Sequence, residues 1–186
     1  NIDIFVAKLD SGGNWLWAQK AGGNDSDFCY SIATDSEGNS YVTGCFSYPT
    51  ATFGNTELTS RGQSDIFVAK LDSDGKWKWA KKAGGSNYDY GKSITIDSAG
   101  NSYVTGCFRE TATFGNTVLT NSGYADIFVA KLDSGGNWLL AKQAGGTDDD
   151  YGYSIATDSS GNSYVTGSFQ ETATFGNTEL TSSGNY

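Results

Sequence analysis

Three loops concentrate the side chains that could do chemistry. They read "NDSDFCY" (24–30), "SNYDYGK" (86–92) and "TDDDYGY" (147–153), and each follows "AGG". They bring Asp25, Asp27, Asp89, Asp148, Asp149 and Asp150 next to Phe28, Tyr88, Tyr90 and Tyr151. A second variable set follows "GCF" or "GSF": Ser47 and Tyr48, then Arg109 and Glu110, then Gln170 and Glu171. Clustered carboxylates suit Ca²⁺, which takes about six to eight oxygen ligands. Asp148, Asp149 and Asp150 are the place to look for it. Their spacing does not match an EF-hand loop, and a solvated acidic loop is the plainer reading. Tyr beside Asp also suits a sugar, although Tyr is equally at home as a wedge between packed sheets.

Enzymatic readings are weaker. Two carboxylates can hydrolyse a glycoside, but this many Asp residues guarantee some pair at a plausible separation. The chain has no His, so a Ser nucleophile has no partner to activate it. "LDSGGNW" is similar to the Asp-box turn of sialidases, with Asp10, Gly12 and Trp15 at the matching positions. The second unit has Asp74 where that Gly should be, which points to a structural turn. No catalytic residue and no cofactor is assigned. The three cysteines are Cys29, Cys45 and Cys107, an odd number. If Asp35 faces Asn39 across a three-residue hairpin loop, Cys29 faces Cys45. The other units put Gly91 opposite Cys107 and Gly152 opposite Ser168. A disulfide or a close thiol pair at Cys29 and Cys45 is therefore the expectation, against two small buried residues as the alternative.

Composition bounds the partners. Net charge is −9 over 186 residues, which argues against nucleic acid and against anionic membranes. No apolar run approaches the roughly 18 residues of a membrane helix, and no signal peptide is visible. Met is absent, so a processed product or a piece of a longer chain is expected.

These loops need a scaffold, and a tandem repeat supplies it. "DIFVAKLD" begins at Asp3, Asp65 and Asp126, and "GNSYVTG" at Gly38, Gly100 and Gly161. The chain divides into repeats 1–62, 63–123 and 124–186. Each holds four strand candidates of the types "DIFVAKL", "NWLWAQKAG", "SIATD" and "SYVTGCF", joined by Gly-containing hairpin turns such as "DSEGN". The stretch "TATFGNTELTS" reads as a longer connection with a turn at Gly54–Asn55. "DIFVAKL" is apolar on both faces, as in a strand sandwiched between layers. Four-stranded sheets packed around an axis, a β-propeller, provide that environment. The expected order in each blade is "SIATD" innermost, then "SYVTG", "DIFVAKL" and "WLWAQKAG". Hairpin turns then share one rim, and the variable acidic loops share the other. Loops held by a rigid scaffold are where sites cluster, and they also drift freely when nothing constrains them.

At "DSEGNSYVTG", "DSAGNSYVTG", "DSSGNSYVTG" and the three "DIFVAKL" strands, the sequence resembles the bacterial β-propeller repeat family called SBBP. The resemblance covers the whole chain. It implies an extracellular or cell-envelope protein and no catalytic residues. In this frame the chain is a half blade, two blades and a half blade. Propellers usually have about four to eight blades. Closure is expected from a second copy, giving six blades with two composite ones, or from further repeats of a longer parent. The expected function is a non-enzymatic structural or interaction module that self-associates. The competing expectation is a carbohydrate- or Ca²⁺-binding module using the acidic, Tyr-rich rim, with a glycan or protein as its partner.

Overall fold

The computed structural model describes residues 1–184; Asn185 and Tyr186, the end of the third repeat, lie outside the described residues. All the regular structure described is antiparallel β. The first stretch gives β1 (Ile4–Leu9), β2 (Trp15–Gly23), β3 (Phe28–Thr34), β4 (Ser40–Ser47), β5 (Thr50–Phe53) and β6 (Thr56–Thr59). The second gives β7 (Ser64–Leu71), β8 (Trp77–Ala83), β9 (Tyr90–Ile96), β10 (Ser102–Phe108), β11 (Thr111–Phe114) and β12 (Thr117–Thr120). The third gives β13 (Asp126–Leu132), β14 (Trp138–Gly146), β15 (Tyr151–Thr157), β16 (Ser163–Ser168), β17 (Thr172–Phe175) and β18 (Thr178–Thr181).

Two sheets contain the order β3-β4-β7-β8 and β9-β10-β13-β14. At the chain ends, β1 pairs with β2 and β15 pairs with β16, each without the other two strands of that pattern. The hairpin turns explain why these strands meet in register. In "DSEGN", the Asp35 carboxylate accepts the backbone N–H groups of Glu37 and Asn39 at 3.0 and 2.9 Å. Gly38 sits at φ 80°, in the left-handed region that favours glycine. The same arrangement recurs at Asp10, Asp72, Asp97, Asp133 and Asp158. The Asp10 carboxylate is thus taken up by Gly12 and Asn14, as a structural turn requires.

The stretch read as a connection is itself a hairpin. β5 and β6 turn at Gly54–Asn55, with Phe53 opposite Thr56 and Gly54 at φ 60°. A glycine first in a two-residue loop is the type II′ preference. β5 then pairs with β2, and β17 with β14, while Gly84 bridges Thr113. Each hairpin therefore covers the outer edge of the preceding sheet and removes an exposed edge. The double glycine of "AGG" makes this possible: a Cβ on Gly23, Gly85 or Gly146 would collide with the carbonyl of Thr50, Thr111 or Thr172.

The cysteine expectation needs correcting. The register set by Asp35 and Asn39 holds as far as Ser31 opposite Thr43, then shifts at Tyr30. Beyond this bulge Cys45 lies opposite Phe28, and Cys29 opposite Gly44. One inserted residue moves every later side chain to the other face. Cys29, Cys45 and Cys107 are free thiols. Burial pushes Cys29 and Cys45 up to about 11 and Cys107 up to about 12, so all three stay protonated and unreactive.

Two apolar clusters form the core. Each is built around an aromatic set. Phe53 lies 4.9 Å from Phe67 and 5.3 Å from Trp77, and Phe114 repeats these distances with Phe128 and Trp138.

Candidate functional site

Neighbouring variable loops touch in pairs, Ser47 with Ser26 and Arg109 with Asp149, but their aspartates do two different jobs. Asp27, Asp89 and Asp150 are buried. Asp89 accepts the Gly85 N–H at 2.8 Å and the Arg109 N–H at 3.1 Å. Asp27 does the same for Gly23 and Ser47, and Asp150 for Gly146 and Gln170. One side chain thus ties the loop after "AGG" to the connection after "GCF". These three carboxylates hold the rim together and do not face solvent.

Sequence reasoning missed their partners. Asp3, Asp65 and Asp126 open the "DIFVAKL" strands, each 24 residues before a loop aspartate. That constant spacing was the available signal. The two carboxylates flank a glycine of "AGG": a Cβ on Gly84 would lie 2.8 Å from both Asp65 Oδ1 and Asp89 Oδ2. Gly145 stands in the same relation to Asp126 and Asp150. Asp65 Oδ1 and Asp126 Oδ1 are buried with no hydrogen-bond partner. Desolvation pushes Asp89 up to about 7, with the charge on Asp65 adding to it. It pushes Asp126 up to about 6, with Asp150 adding to it. Burial also raises Asp27, Asp65 and Asp150. Lys82, 3.7 Å from Asp65, offsets part of the charge there. Burial lowers that lysine in turn.

The remaining candidates scatter along the rim. Arg109 Nη2 lies 3.9 Å from Asp149 Oδ1, and Ser86 donates to Glu110 at 2.9 Å. Tyr88 stacks on Tyr90 at 6.2 Å, while Tyr48 is exposed. Asp25 and Glu171 are exposed, and Gln170 contributes its backbone to Asp150. Asp148 accepts the Thr147 hydroxyl. The Ca²⁺ candidates therefore diverge: Asp148 turns to Thr147, Asp149 to Arg109 and Asp150 inward. Among the described residues, no group of three or more His, Cys, Asp or Glu is placed to hold a metal ion.

The larger unsatisfied feature is at the sheet edges. Phe67 and Phe128 are fully buried, whereas Phe5, at the same place in the repeat, is 75% exposed. Tyr41 is fully buried and Tyr164 is 61% exposed. An open apolar groove runs beside β1 and β3, lined by Ile4, Phe5, Val6, Cys29, Ile32 and Val42. A second lies beside β16, lined by Val165, Phe169, Phe175 and Leu180.

The fold defines an all-β repeat protein of antiparallel sheets. Comparison with known families sharpens this. The model of a beta-propeller repeat, SBBP, matches residues 16–44, 78–106 and 141–168. The chain thus carries three copies of the SBBP beta-propeller repeat. An uncharacterized WD repeat-containing protein, L264, of Acanthamoeba polyphaga mimivirus is 29% identical over 178 residues, covering 84% of this chain and 13% of that protein. The regulatory protein FlaEY of Caulobacter vibrioides is 27% identical over 139 residues, covering 73% of this chain and 14% of its own length. The chain thus spans a small part of each relative. A crystal structure of a protein of unknown function from Bacteroides caccae aligns with 89% of this chain and 65% of its own, at 11% identity and a TM-score of 0.29.

Proposed function

We propose that this chain is a non-enzymatic interaction module, a set of propeller blades that completes itself with strands of its own repeat type. The observation that carries the reading is the pair of unpaired edges. β1 lacks a "SYVTG" strand beside it, and β16 lacks a "DIFVAKL" strand. The interior sheets pair those two strand types twice, as β4 with β7 and β10 with β13. Edges that expose Phe5, Leu9, Tyr164 and Val165 are templates for another strand. Such strands are available from another copy of the chain or from further repeats of a longer parent.

The absence of His and the engagement of the rim aspartates with backbone amides support a binding role over a catalytic one. The relatives, a WD repeat-containing protein and a regulatory protein, support it as well. An extracellular or envelope location fits the same reading. Light scattering on the purified chain tests it. A mass above the 19.7 kDa of one chain is expected. A monomer with well-formed sheets overturns closure by another copy of the chain.

A further inference from the structure

Glycines report what covers each sheet. A Cβ on Gly44 would lie 2.8 Å from Phe67 Cε1, and one on Gly106 2.9 Å from Phe128 Cε1. At Gly167, the same position in β16, the three nearest atoms belong to Tyr151 and Gly152, and the glycine is exposed. The hairpin glycines tell the same story. Gly54 sits under Trp77 at 2.9 Å and Gly115 under Trp138 at 3.0 Å, while Gly176 has nothing within 4 Å. Phe175 is 38% exposed, against 1% for Phe53 and Phe114. The missing ring types stand at the other end of the chain: Phe5 is 75% exposed and Trp15 is 67% exposed. A third aromatic set is therefore present in the sequence but divided between the two ends.

The opposite junction is divided as well. Trp17 covers Gly75 and Trp79 covers Gly136, and each indole N–H donates to the carbonyl of Ser73 or Ser134. Gly13 has nothing within 4 Å. The residue that follows Trp17 and Trp79 in the repeat is Leu140, 41% exposed. Charge matches too. Lys70 lies 4.0 Å from Asp35 and over the Tyr41 ring, and Lys131 is 3.8 Å from Asp97 and over Tyr103. Asp158 with Tyr164 forms the third such acceptor, and Lys8, which in the single chain donates to the Ser73 carbonyl at 3.2 Å, is the third such lysine.

We propose that two copies of this chain close on each other, β16 of each pairing with β1 of the other in the register already used by β10 and β13. This rests on the closure reading above and adds its partner and geometry. Ser163 then faces Leu9 of the second copy, Val165 faces Ala7, and Gly167 faces Phe5, as Ser102 faces Leu132, Val104 faces Ala130 and Gly106 faces Phe128. Phe5 and Trp15 of the second copy fill the spaces over Gly167 and Gly176. Leu140 covers Gly13 of the second copy. The count favours two copies. Each chain carries the strands of three sheets, so two copies make six, inside the usual range of about four to eight blades.

Disulfide trapping tests the register. The natural thiols are removed with residues the repeats already use at those places, Cys29→Gly, Cys45→Ser and Cys107→Ser. Adding Ala7→Cys with Val165→Cys places two thiols directly opposite each other, within disulfide reach. A covalent dimer under oxidising, non-reducing conditions is expected. Ala7→Cys with Thr166→Cys, one residue out of register, is expected to stay uncrosslinked. Light scattering on the untouched chain reads closure separately, and two chain masses are expected. A monomer with native β circular dichroism overturns both closure and register. A mass of three or more chains overturns the two-copy assembly. A dimer that crosslinks through Thr166, or through neither pair, overturns the register and leaves closure standing.

Discussion

Phe67 and Phe5 are the same residue of the same repeat and meet opposite environments. Phe67 is enclosed by Phe53 and a neighbouring strand, while Phe5 faces the open groove beside β1. The difference shows that a propeller-type strand owes its burial to the strand beside it and the hairpin above it, and little to its own sequence. The interior sheets are complete because β4 and β7, or β10 and β13, come together in one chain. The terminal hairpins carry the same residues without that partner.

The sharpest break in the comparison comes from truncating both rings. Phe67→Ala should cost about 3–5 kcal/mol, the usual result of emptying a buried aromatic site. Phe5→Ala should change the unfolding of isolated chains by about 0.5 kcal/mol or less, as surface substitutions do. It should instead weaken association strongly. Urea unfolding at low protein concentration and light scattering at high concentration separate the two effects. Equal losses of folding stability would mean that the ends are not open.

The buried carboxylate pairs set a pH dependence that interior and end should not share. Asp65 and Asp126 are each 1% exposed, whereas Asp3 is exposed. Asp89 and Asp126 are held above their ordinary value, so the folded chain binds these protons more tightly than the unfolded chain. That stabilisation is full below about 3.8 and is lost as pH rises through about 6 for Asp126 and about 7 for Asp89. The turn aspartates act in the opposite sense. Hydrogen bonds from Asn14 and Asn137 lower Asp10 and Asp133, and Asp35, Asp72, Asp97 and Asp158 are lowered too, so their contribution is lost only in stronger acid. Stability should therefore rise from pH 8 to pH 5, by up to about 4 kcal/mol. Asp89→Asn should flatten that slope. Denaturation midpoints at the two pH values measure this.

Leu140 offers a way to make the ends more like the interior. Leu140→Trp restores the indole that Trp17 and Trp79 use to reach a serine carbonyl. A hydrogen bond adds about 1 kcal/mol net at each of the two junctions, so the dimer should tighten about thirtyfold, as read from its dissociation on dilution. No tightening would show that Leu140 and Gly13 do not meet.

The parts of this architecture that were legible in the sequence are those fixed by local chemistry. Asp-Ser-x-Gly-Asn turns set hairpin registers, and apolar strands such as "DIFVAKL" require cover on both faces. Their sequence did not reveal the bulge at Tyr30, because the extra residue looks like any other strand residue, and the cysteine pairing failed on that one position. "TATFGNTELT" looked like a connection because each of its strands has four residues, too few for a clear alternating pattern. The rim aspartates looked like ligands because charge in a loop reads as exposed. Their burial follows from unpaired backbone N–H groups two connections apart, which sequence does not display.

Glu110 and Glu171 show where interior and end should behave alike. Both sit in the left-handed region, at φ 58° and 52°. Their carbonyls accept the N–H groups of Asn121 and Ser182, which close the β11–β12 and β17–β18 hairpins. This strain belongs to the hairpin, and both hairpins dock on an outer strand of their own chain. Gly relieves the Cβ penalty there but gains freedom in the unfolded chain. Glu171→Gly should stabilise by about 0.5 kcal/mol, and Glu110→Gly by less, because it also gives up the Ser86 hydroxyl bond; urea midpoints read both. A loss of stability in Glu171→Gly would show that the last hairpin, like the strands beneath it, depends on a partner for its shape.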